Sequence, residues 1–398
     1  MIEREIEKNI VDNMFNDKIL LILWARQVWK TTILKKLEND LREEWKNTFY
    51  INLEDPFFLE KLNKHPKNIF EIIWTWNIKK YVFIDEIQML DNPSNFLKLL
   101  YDDYRNNLKL IVSWSSAFYI DKKFNDSLAG RKKIFYVYTL NFKEFLVFKN
   151  KKELAKELEK EKILDFYKKD IFIYYKEYIT YWWYPELVLL DDIKDKKEYL
   201  KNIANSYIKK DIREANIEYV EKYYFILKIL SNQVWNLLNM NEIANTINLP
   251  VSTVERYIYI MRKSFHIALI RPFFERNIRK ELTKMPKIYF FDLWLRNYFI
   301  NNFENIDIRL DKGELLENLV FKNLLVKYDF EEIKFWRTQN KNEVDFVIEE
   351  DKKAYEVKFN KKQFNERKYK LFKKTYPEYD LECIDFEDSL DLLKKLKN

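Results

Sequence analysis

A lysine and two threonines follow an apolar segment near the start of the chain, and these residue types suit the binding of phosphate. The run Leu20 to Leu23 predicts a buried strand, and the turn behind it ends in Lys30-Thr31-Thr32. In such a turn, backbone N–H groups and the positive end of the next helix cradle phosphates, a lysine reaches the β- and γ-phosphates, and a hydroxyl holds Mg²⁺. The residues that we assign to this nucleotide site are Trp24, Ala25, Arg26, Gln27, Val28, Trp29, Lys30, Thr31 and Thr32, with Thr31 as the metal ligand.

Trp24 and Trp29 stand where a phosphate-binding loop needs glycine. Glycine permits positive φ and lets the bare backbone approach the nucleotide, whereas two indole rings fill the space of the phosphates. An apolar turn from strand to helix that binds no nucleotide explains this stretch equally well. Both interpretations stay open on these residues alone.

Two carboxylates, Asp85 and Glu86, follow the apolar strand Tyr81 to Ile84. In the predicted sheet Asp85 lies opposite Thr31 and supports Mg²⁺, and Glu86 polarises the water that attacks the γ-phosphate. Solvated acids at the end of a strand are the simpler alternative. An apolar strand that ends in Asp-Glu, downstream of Lys-Thr-Thr in the same sheet, favours the catalytic interpretation.

Hydroxyl groups and an arginine complete the predicted site. The strand that begins at Leu108 ends in Ser113 and Ser115, and ligands bind at the carboxyl ends of strands in a doubly wound sheet. Either serine could therefore sense the γ-phosphate, and turn chemistry is the alternative. Arg131 could contact phosphate or the nucleotide of a neighbouring subunit, and a solvated basic turn explains it equally well.

A second group of charged residues lies near the C-terminus. Asp345 and Glu356 fall on two predicted neighbouring strands, Lys358 shares a face with Glu356, and Glu317 lies in a predicted helix. Carboxylates that hold Mg²⁺, with a lysine to stabilise the developing charge, are what phosphodiester cleavage needs. The alternative is a β-hairpin with cross-strand ion pairs. A basic helix predicted over 361–374 could lie along a phosphate backbone.

These groups need a parallel sheet to position them. Apolar strands alternate with amphipathic segments, which indicates an α/β fold with helices on both faces of the sheet. The predicted strands cover 18–23, 48–53, 81–86, 108–116 and 134–140, and the predicted helices of this region cover 2–15 and 33–45.

The middle of the chain, 141–230, is predicted to be mostly helical. Two short helices follow over 241–247 and 252–265, with Ser252 as N-cap of the second, and this spacing is typical of a helix-turn-helix unit. Such a unit binds DNA or serves as a plain packing module. The sequence favours neither.

The composition limits the possible chemistry. A chain of 398 residues suggests two or three domains. One cysteine and two histidines exclude a disulfide framework and cysteine-based zinc, so oxygen atoms must hold any metal. A net charge of +7 permits nucleic-acid binding without requiring it. Because the sequence shows neither a signal peptide nor a long apolar run, we expect a cytoplasmic protein without a membrane partner.

Several short motifs are specific in combination. They include Arg26-Gln27-Val28 before Lys30-Thr31-Thr32, Phe83-Ile84-Asp85-Glu86-Ile87-Gln88, Leu128-Ala129-Gly130-Arg131, Tyr184-Pro185-Glu186, Phe335-Trp336-Arg337-Thr338 and Glu343-Val344-Asp345-Phe346. Over nearly its whole length the chain thereby resembles a family of bacterial and archaeal AAA+-type ATPases, which join an N-terminal P-loop domain to a C-terminal winged-helix and PD-(D/E)xK nuclease-like region.

The resemblance implies an α/β fold with four parts. These are a P-loop ATPase domain over 1–145 with a parallel sheet between two helical layers, a helical region over 146–230, a winged-helix module over 231–300, and an α/β nuclease-like domain over 301–398.

Glycine occurs only twice in the chain, whereas tryptophan occurs 11 times. The pattern of the family has glycine at Trp24, Trp29, Trp114, Trp182, Trp183, Trp235 and Trp294. Our hypothesis is that the codon UGA, which some bacterial lineages read as glycine, is translated here as tryptophan. The abundance of Lys, Asn, Ile, Tyr and Phe fits an AT-rich gene. The natural protein would then have an intact phosphate loop.

We first interpret the chain as an ATPase that takes ATP and Mg²⁺ and couples hydrolysis to its C-terminal half. One alternative is a Mg²⁺-dependent protein that binds or cleaves DNA, with nucleotide as a switch. Another is an inactive pseudo-ATPase scaffold in which Trp24 and Trp29 fill the site. Expected partners are DNA, a protein of unknown kind or a second copy of the chain.

Overall fold

The computed structural model describes residues 4–24, 30–73, 78–114, 128–160, 162–181, 184–274, 278–340 and 342–396. The chain forms two compact units. The first comprises Met1–Asn150 with Trp183–Leu189, and the second comprises Lys151–Trp182 with Leu190–Asn398. No helix within the described ranges is long and apolar enough to cross a membrane.

A parallel sheet forms the centre of the first unit. Its strands are β1 (Ile19–Trp24), β2 (Asn47–Asn52), β3 (Lys80–Asp85), β4 (Leu108–Trp114) and β5 (Lys132–Val137). Within the described ranges this sheet has five strands in the order β2-β3-β4-β1-β5, and every neighbouring pair is parallel. Strands β3 and β4 are buried along their whole length, as expected for parallel strands that are covered on both faces.

Polar caps start the helices that cover this sheet. The side chain of Asp55 accepts a hydrogen bond from the amide of Phe57, and that of Asn92 accepts one from Asn95, each just before a proline at the first helical position. The helices of this unit are Glu5–Asp12, Lys30–Glu43, Pro56–Lys64, Ile69–Ile72, Pro93–Tyr104, Phe142–Phe148 and Pro185–Val188, with short 3₁₀ turns at Pro66–Asn68 and Ile87–Met89.

The second unit begins with helices and ends in a sheet. Its helices are Lys152–Glu157, Asp165–Tyr181, Ile193–Glu214, Val220–Asn232, Met240–Ile247, Val251–Lys263, Ile278–Thr283, Leu293–Phe299, Lys312–Leu324, Lys370–Thr375 and Asp388–Lys395. Its strands are β6 (Ile267–Ile270), β7 (Lys287–Phe290), β8 (Ile333–Arg337), β9 (Glu343–Ile348), β10 (Lys353–Val357) and β11 (Asp380–Ile384). In the described part of the unit, β6 and β7 form an antiparallel pair and the others form a four-stranded sheet in the order β11-β10-β9-β8.

The predicted fold class is confirmed: a parallel sheet flanked by helices precedes a helical middle and a C-terminal sheet domain. Two local predictions were wrong. Pro250, not Ser252, precedes the second helix of the helix-turn-helix unit, because the amides of Thr253 and Val254 already bond to the carbonyl of Pro250.

The predicted basic helix over 361–374 is instead two 3₁₀ turns, Lys361–Gln363 and Glu366–Tyr369, followed by the short helix Lys370–Thr375. The side chains of Asn360 and Asn365 cause this division. Each accepts a hydrogen bond from the backbone amide two residues further on and so starts a new turn.

Candidate active site and a second carboxylate cluster

Thr31, Asp85 and Glu86, three of the residues predicted for the nucleotide site, come together at the carboxyl end of β3. Asp85 ends β3, and Thr31 lies in the first turn of the helix Lys30–Glu43. The hydroxyl of Thr31 donates a hydrogen bond to Oδ2 of Asp85 at 3.0 Å. The structure thus places a hydroxyl and a carboxylate, the two groups predicted to serve Mg²⁺, in direct contact.

Asp85 is 2% exposed and accepts hydrogen bonds from several directions. The hydroxyl of Tyr50 donates to Oδ2 at 2.8 Å, the hydroxyl of Ser113 donates to Oδ1, and the amide of Glu86 lies 3.1 Å from Oδ1. Burial and the facing carboxylate raise the pKa of Tyr50, so that its hydroxyl remains a donor. These donors fix the carboxylate of Asp85 in one orientation.

Glu86 has a left-handed backbone conformation, with φ 59° and ψ 46°. Its amide donates to Oγ of Ser113 at 2.9 Å, and its carboxylate accepts a hydrogen bond from the side-chain amide of Gln88. A residue other than glycine in this region carries a cost of about 1–2 kcal/mol, and strain of this kind clusters at functional sites. The strained turn holds a nearly buried carboxylate next to Asp85.

Several predicted residues are not brought to this edge or are not described. Ala25 to Trp29 and Ser115 lie outside the described residues, and of Trp24 and Lys30 only the backbone is described. Arg131 lies at the opposite end of β5, where its carbonyl accepts a hydrogen bond from the amide of Ile19 and its guanidinium pairs with Asp102 at 2.7 Å. Strand spacing puts it roughly 20 Å from the carboxyl edge of its own sheet.

Tyr50 and Gln88 were missed by sequence reasoning. Tyr50 lies in β2, directly beside β3, and its hydroxyl reaches back to Asp85. Tyr50 could have been found from the sequence, because it lies near the end of a predicted strand that precedes the strand with the predicted catalytic acids. Gln88 carried no such signal, because its contact with Glu86 depends on the left-handed turn.

The second group of predicted residues also comes together, around a lysine that sequence reasoning missed. Lys287 of β7 has a fully buried side chain. Its ammonium lies 3.2 Å from Oε1 of Glu317 and 3.2 Å from Oδ1 of Asp345, and it also contacts the carboxylate of Glu343. Sequence reasoning assigned Lys287 no role in this group, because the residue lies on a separate strand pair.

The remaining predicted residues lie next to this group. Oδ2 of Asp345 accepts a hydrogen bond from the amide of Val357 at 2.9 Å, and Lys358 pairs with Oε1 of Glu356. Burial, together with the negative charge of Asp345, raises the pKa of Glu317 to about 7 and that of Glu356 to about 8. In the described part of the chain, no group of three or more His, Cys, Asp or Glu side chains is arranged to hold a metal ion.

Two side chains of the helix Val251–Lys263 form hydrogen bonds to another part of the second unit. Nη2 of Arg256 donates to the carbonyl of Ala215 at 2.7 Å. Tyr257 is 1% exposed, and its hydroxyl accepts a hydrogen bond from the amide of Tyr219. Both side chains therefore contact the segment between the helices Ile193–Glu214 and Val220–Asn232.

Three family models match successive parts of the chain. The model of a family described as an AAA domain matches residues 16–146. Two further models, both described as domains of unknown function (DUF8612 and DUF4143), match residues 173–305 and 312–387. Together with the parallel sheet, the first match confirms an AAA-type P-loop domain in the N-terminal part. The winged-helix and nuclease-like assignments stay predictions.

Two uncharacterized proteins are similar to this chain over most of its length. An uncharacterized protein of Methanocaldococcus jannaschii, MJ1544, is 28% identical over 97% of this chain and 84% of its own length. An uncharacterized protein of Haemophilus influenzae is 24% identical over 82% of this chain and 79% of its own. Among solved structures, the RuvB Holliday junction branch migration motor of Thermotoga maritima is 13% identical, with 67% of this chain and 89% of that chain covered and a TM-score of 0.30. A superposition at that score carries no argument about function.

Proposed function

We propose that the chain binds ATP with Mg²⁺ and hydrolyses it at the carboxyl edge of the parallel sheet. The observation that supports this most directly is the contact between Thr31 and Asp85, with Glu86 held in a strained turn beside them. In this proposal Lys30 and the loop backbone hold the phosphates, and Thr31 and Asp85 hold Mg²⁺, which neutralises phosphate charge.

Glu86 is the residue that orients the attacking water in this proposal. Its carboxylate is fixed by Gln88, and its amide is fixed by Ser113. Ser115 senses the γ-phosphate. Arg131 lies too far from this edge to act within its own subunit, so a catalytic role for it requires the nucleotide of a neighbouring subunit.

The proposal assumes that the natural protein has glycine at the tryptophan positions named in the UGA hypothesis. The backbone conformation supports this assumption at Trp235. Trp235 has φ 62°, a conformation that favours glycine. Trp45, which the family pattern did not assign, has φ 60°. Trp114 and Trp294 lie in a strand and a helix, where the backbone has no need of glycine.

Trp45 occupies a standard glycine position at the end of the helix Lys30–Glu43. Its amide donates to the carbonyl of Arg42, and the amide of Lys46 donates to the carbonyl of Leu41, which together form a Schellman motif. The residue with positive φ in this motif is usually glycine, and the indole of Trp45 is 94% exposed. We therefore add position 45 to the positions where the natural protein has glycine.

Calorimetric titration with MgATP tests the proposal on two versions of the full chain. One has the sequence as written, and the other has glycine at positions 24, 29, 45, 114, 182, 183, 235 and 294. We expect the glycine version to bind MgATP and to lose that binding on Lys30→Ala, while the sequence as written binds at least 10-fold more weakly. Equal binding by both would contradict the glycine hypothesis, and binding by neither would contradict the nucleotide site.

A further inference from the structure

The side chain of Lys287 is fully buried in the second unit. The ammonium faces Glu317, Glu343 and Asp345, and the ring of Phe335 lies 5.5 Å from it on another side. Tyr289, two residues further along β7, is fully buried and donates a hydrogen bond to Oε1 of Glu317 at 2.6 Å. Water is therefore replaced around this ammonium by carboxylate oxygens and aromatic rings.

Three cationic side chains offset most of the charge of the four carboxylates around Lys287 without a metal. Arg337 pairs with Glu343 at 3.0 Å, and Lys358 pairs with Glu356. With Lys287, these cations face the carboxylates of Glu317, Glu343, Asp345 and Glu356. The negative charge that would attract a divalent cation is largely neutralised by side chains of the chain itself.

The oxygen atoms around Lys287 are also those that a hard divalent cation would use. Mg²⁺ and Mn²⁺ take carboxylate oxygens as ligands, at distances well below the 3.2 Å that separates Nζ of Lys287 from Glu317 and Asp345. An ammonium and a divalent cation cannot share this position, because both need the same lone pairs.

We infer that the ammonium of Lys287 takes the position of a divalent cation in the carboxylate cluster of Glu317, Glu343 and Asp345. The cluster as it stands binds no divalent metal, and the region from β7 to β10 performs no metal-dependent cleavage. Removal of Lys287 exposes a site for Mn²⁺ or Mg²⁺. This inference is independent of the nucleotide site, which lies in the other unit.

Titration of the full chain with Mn²⁺ in the absence of nucleotide tests the inference, with free Mn²⁺ measured by electron paramagnetic resonance. We expect Lys287→Met to bind one Mn²⁺ per chain at least 10-fold more tightly than the unsubstituted chain. The added substitution Asp345→Asn should remove the gain, since it removes one of the oxygen ligands.

Lys109→Met is the matched control. Lys109 is also a buried lysine, but its ammonium contacts the carbonyls of Asn13, Asn16 and Lys18 instead of carboxylates. Its removal should create no Mn²⁺ site.

Two results would overturn the inference. One is tight Mn²⁺ binding by the unsubstituted chain that disappears with Asp345→Asn. The other is a folded Lys287→Met variant that binds Mn²⁺ no better than the unsubstituted chain. If Lys287→Met does not fold, the double variant Lys287→Met/Glu343→Gln replaces it, since it removes one charge of each sign and leaves Glu317 and Asp345 as ligands.

Discussion

Oγ1 of Thr31 lies 3.0 Å from Oδ2 of Asp85, although the two residues stand 54 positions apart in the sequence. The contact joins the first turn of a helix to the end of a central strand. It fixes where the helix starts relative to the sheet edge. The same oxygen of Asp85 also accepts the hydroxyl of Tyr50, which ties a neighbouring strand to this point.

Glu86→Gln should abolish ATP hydrolysis in the glycine version and leave MgATP binding within about threefold. Loss of a positioned general base typically reduces the rate by about 10²–10⁴-fold, and the amide keeps the shape of the side chain. Phosphate release measures the rate, and calorimetry measures the binding. Glu54→Gln is the control, since Glu54 is an exposed acid just beyond β2. Hydrolysis that survives Glu86→Gln would remove Glu86 from the mechanism.

Trp45→Gly should raise the free energy of unfolding by about 1 kcal/mol relative to Trp45→Ala, because only glycine adopts positive φ without cost. The indole is 94% exposed, so neither variant loses buried surface. Chemical denaturation of both variants measures the difference. Equal stability would mean that this helix end does not have the left-handed conformation.

Trp336→Gly, in contrast, should lower the free energy of unfolding. Trp336 is 6% exposed and packs edge-on against Phe372 and Tyr376. Loss of a buried ring of this size costs about 3–5 kcal/mol.

The stability of the second unit should fall as pH rises from about 5 to about 8. Burial and the charge of Asp345 raise the pKa of Glu356 from 4.5 to about 8, while Lys358 and Tyr369 face the same carboxyl and oppose the shift. The folded state therefore keeps a proton over this window that the unfolded state releases, and stability is lost as that proton dissociates. Since one pKa unit corresponds to about 1.4 kcal/mol and the pKa rises from 4.5 to about 8, the loss over this window is at most about 5 kcal/mol.

Glu356→Gln should flatten this dependence, because the amide does not titrate. Denaturant unfolding at a series of pH values measures it, with the exposed Glu350→Gln as control. If the slope with Glu356→Gln equals that of the control, the proton resides on another group, such as Glu317, whose pKa is also raised.

Asn318→Leu should destabilise the second unit by roughly 2–5 kcal/mol. The buried amide of Asn318 accepts from the backbone N–H of Phe290 at 2.8 Å and donates to its carbonyl at 2.7 Å, so that leucine leaves both backbone groups without these bonds. Thermal unfolding measures the loss. Asn323→Leu, on the same helix, leaves a single backbone group, the carbonyl of Ser389, without its bond from this side chain and should cost less.

The sheet of the first unit could be predicted almost completely from the sequence. Its strands are continuous apolar runs separated by amphipathic segments, and β3 was placed within one residue of its observed bounds. Asp85 and Thr31 could be paired because parallel strands end at one edge. Arg131 precedes β5 and so lies at the other edge of the sheet, which leaves the nucleotide of a neighbouring subunit and a solvated basic turn as the two interpretations of this residue.

The second cluster could be predicted only in part. Glu317, Asp345, Glu356 and Lys358 followed from strand and helix periodicity within one region. Lys287 could not, because its contacts depend on how the pair β6 and β7 packs against a sheet that is formed later in the chain. The left-handed backbone conformation of Glu86 could not be predicted either, because in a sequence only glycine indicates such a conformation.

Lys287 belongs to a strand that precedes the helix and the strands whose acids surround it. If recombination exchanged only the part of the chain after residue 300, Glu317, Glu343 and Asp345 would come from one gene and Lys287 from another. The cation and the acids around it would then no longer be matched.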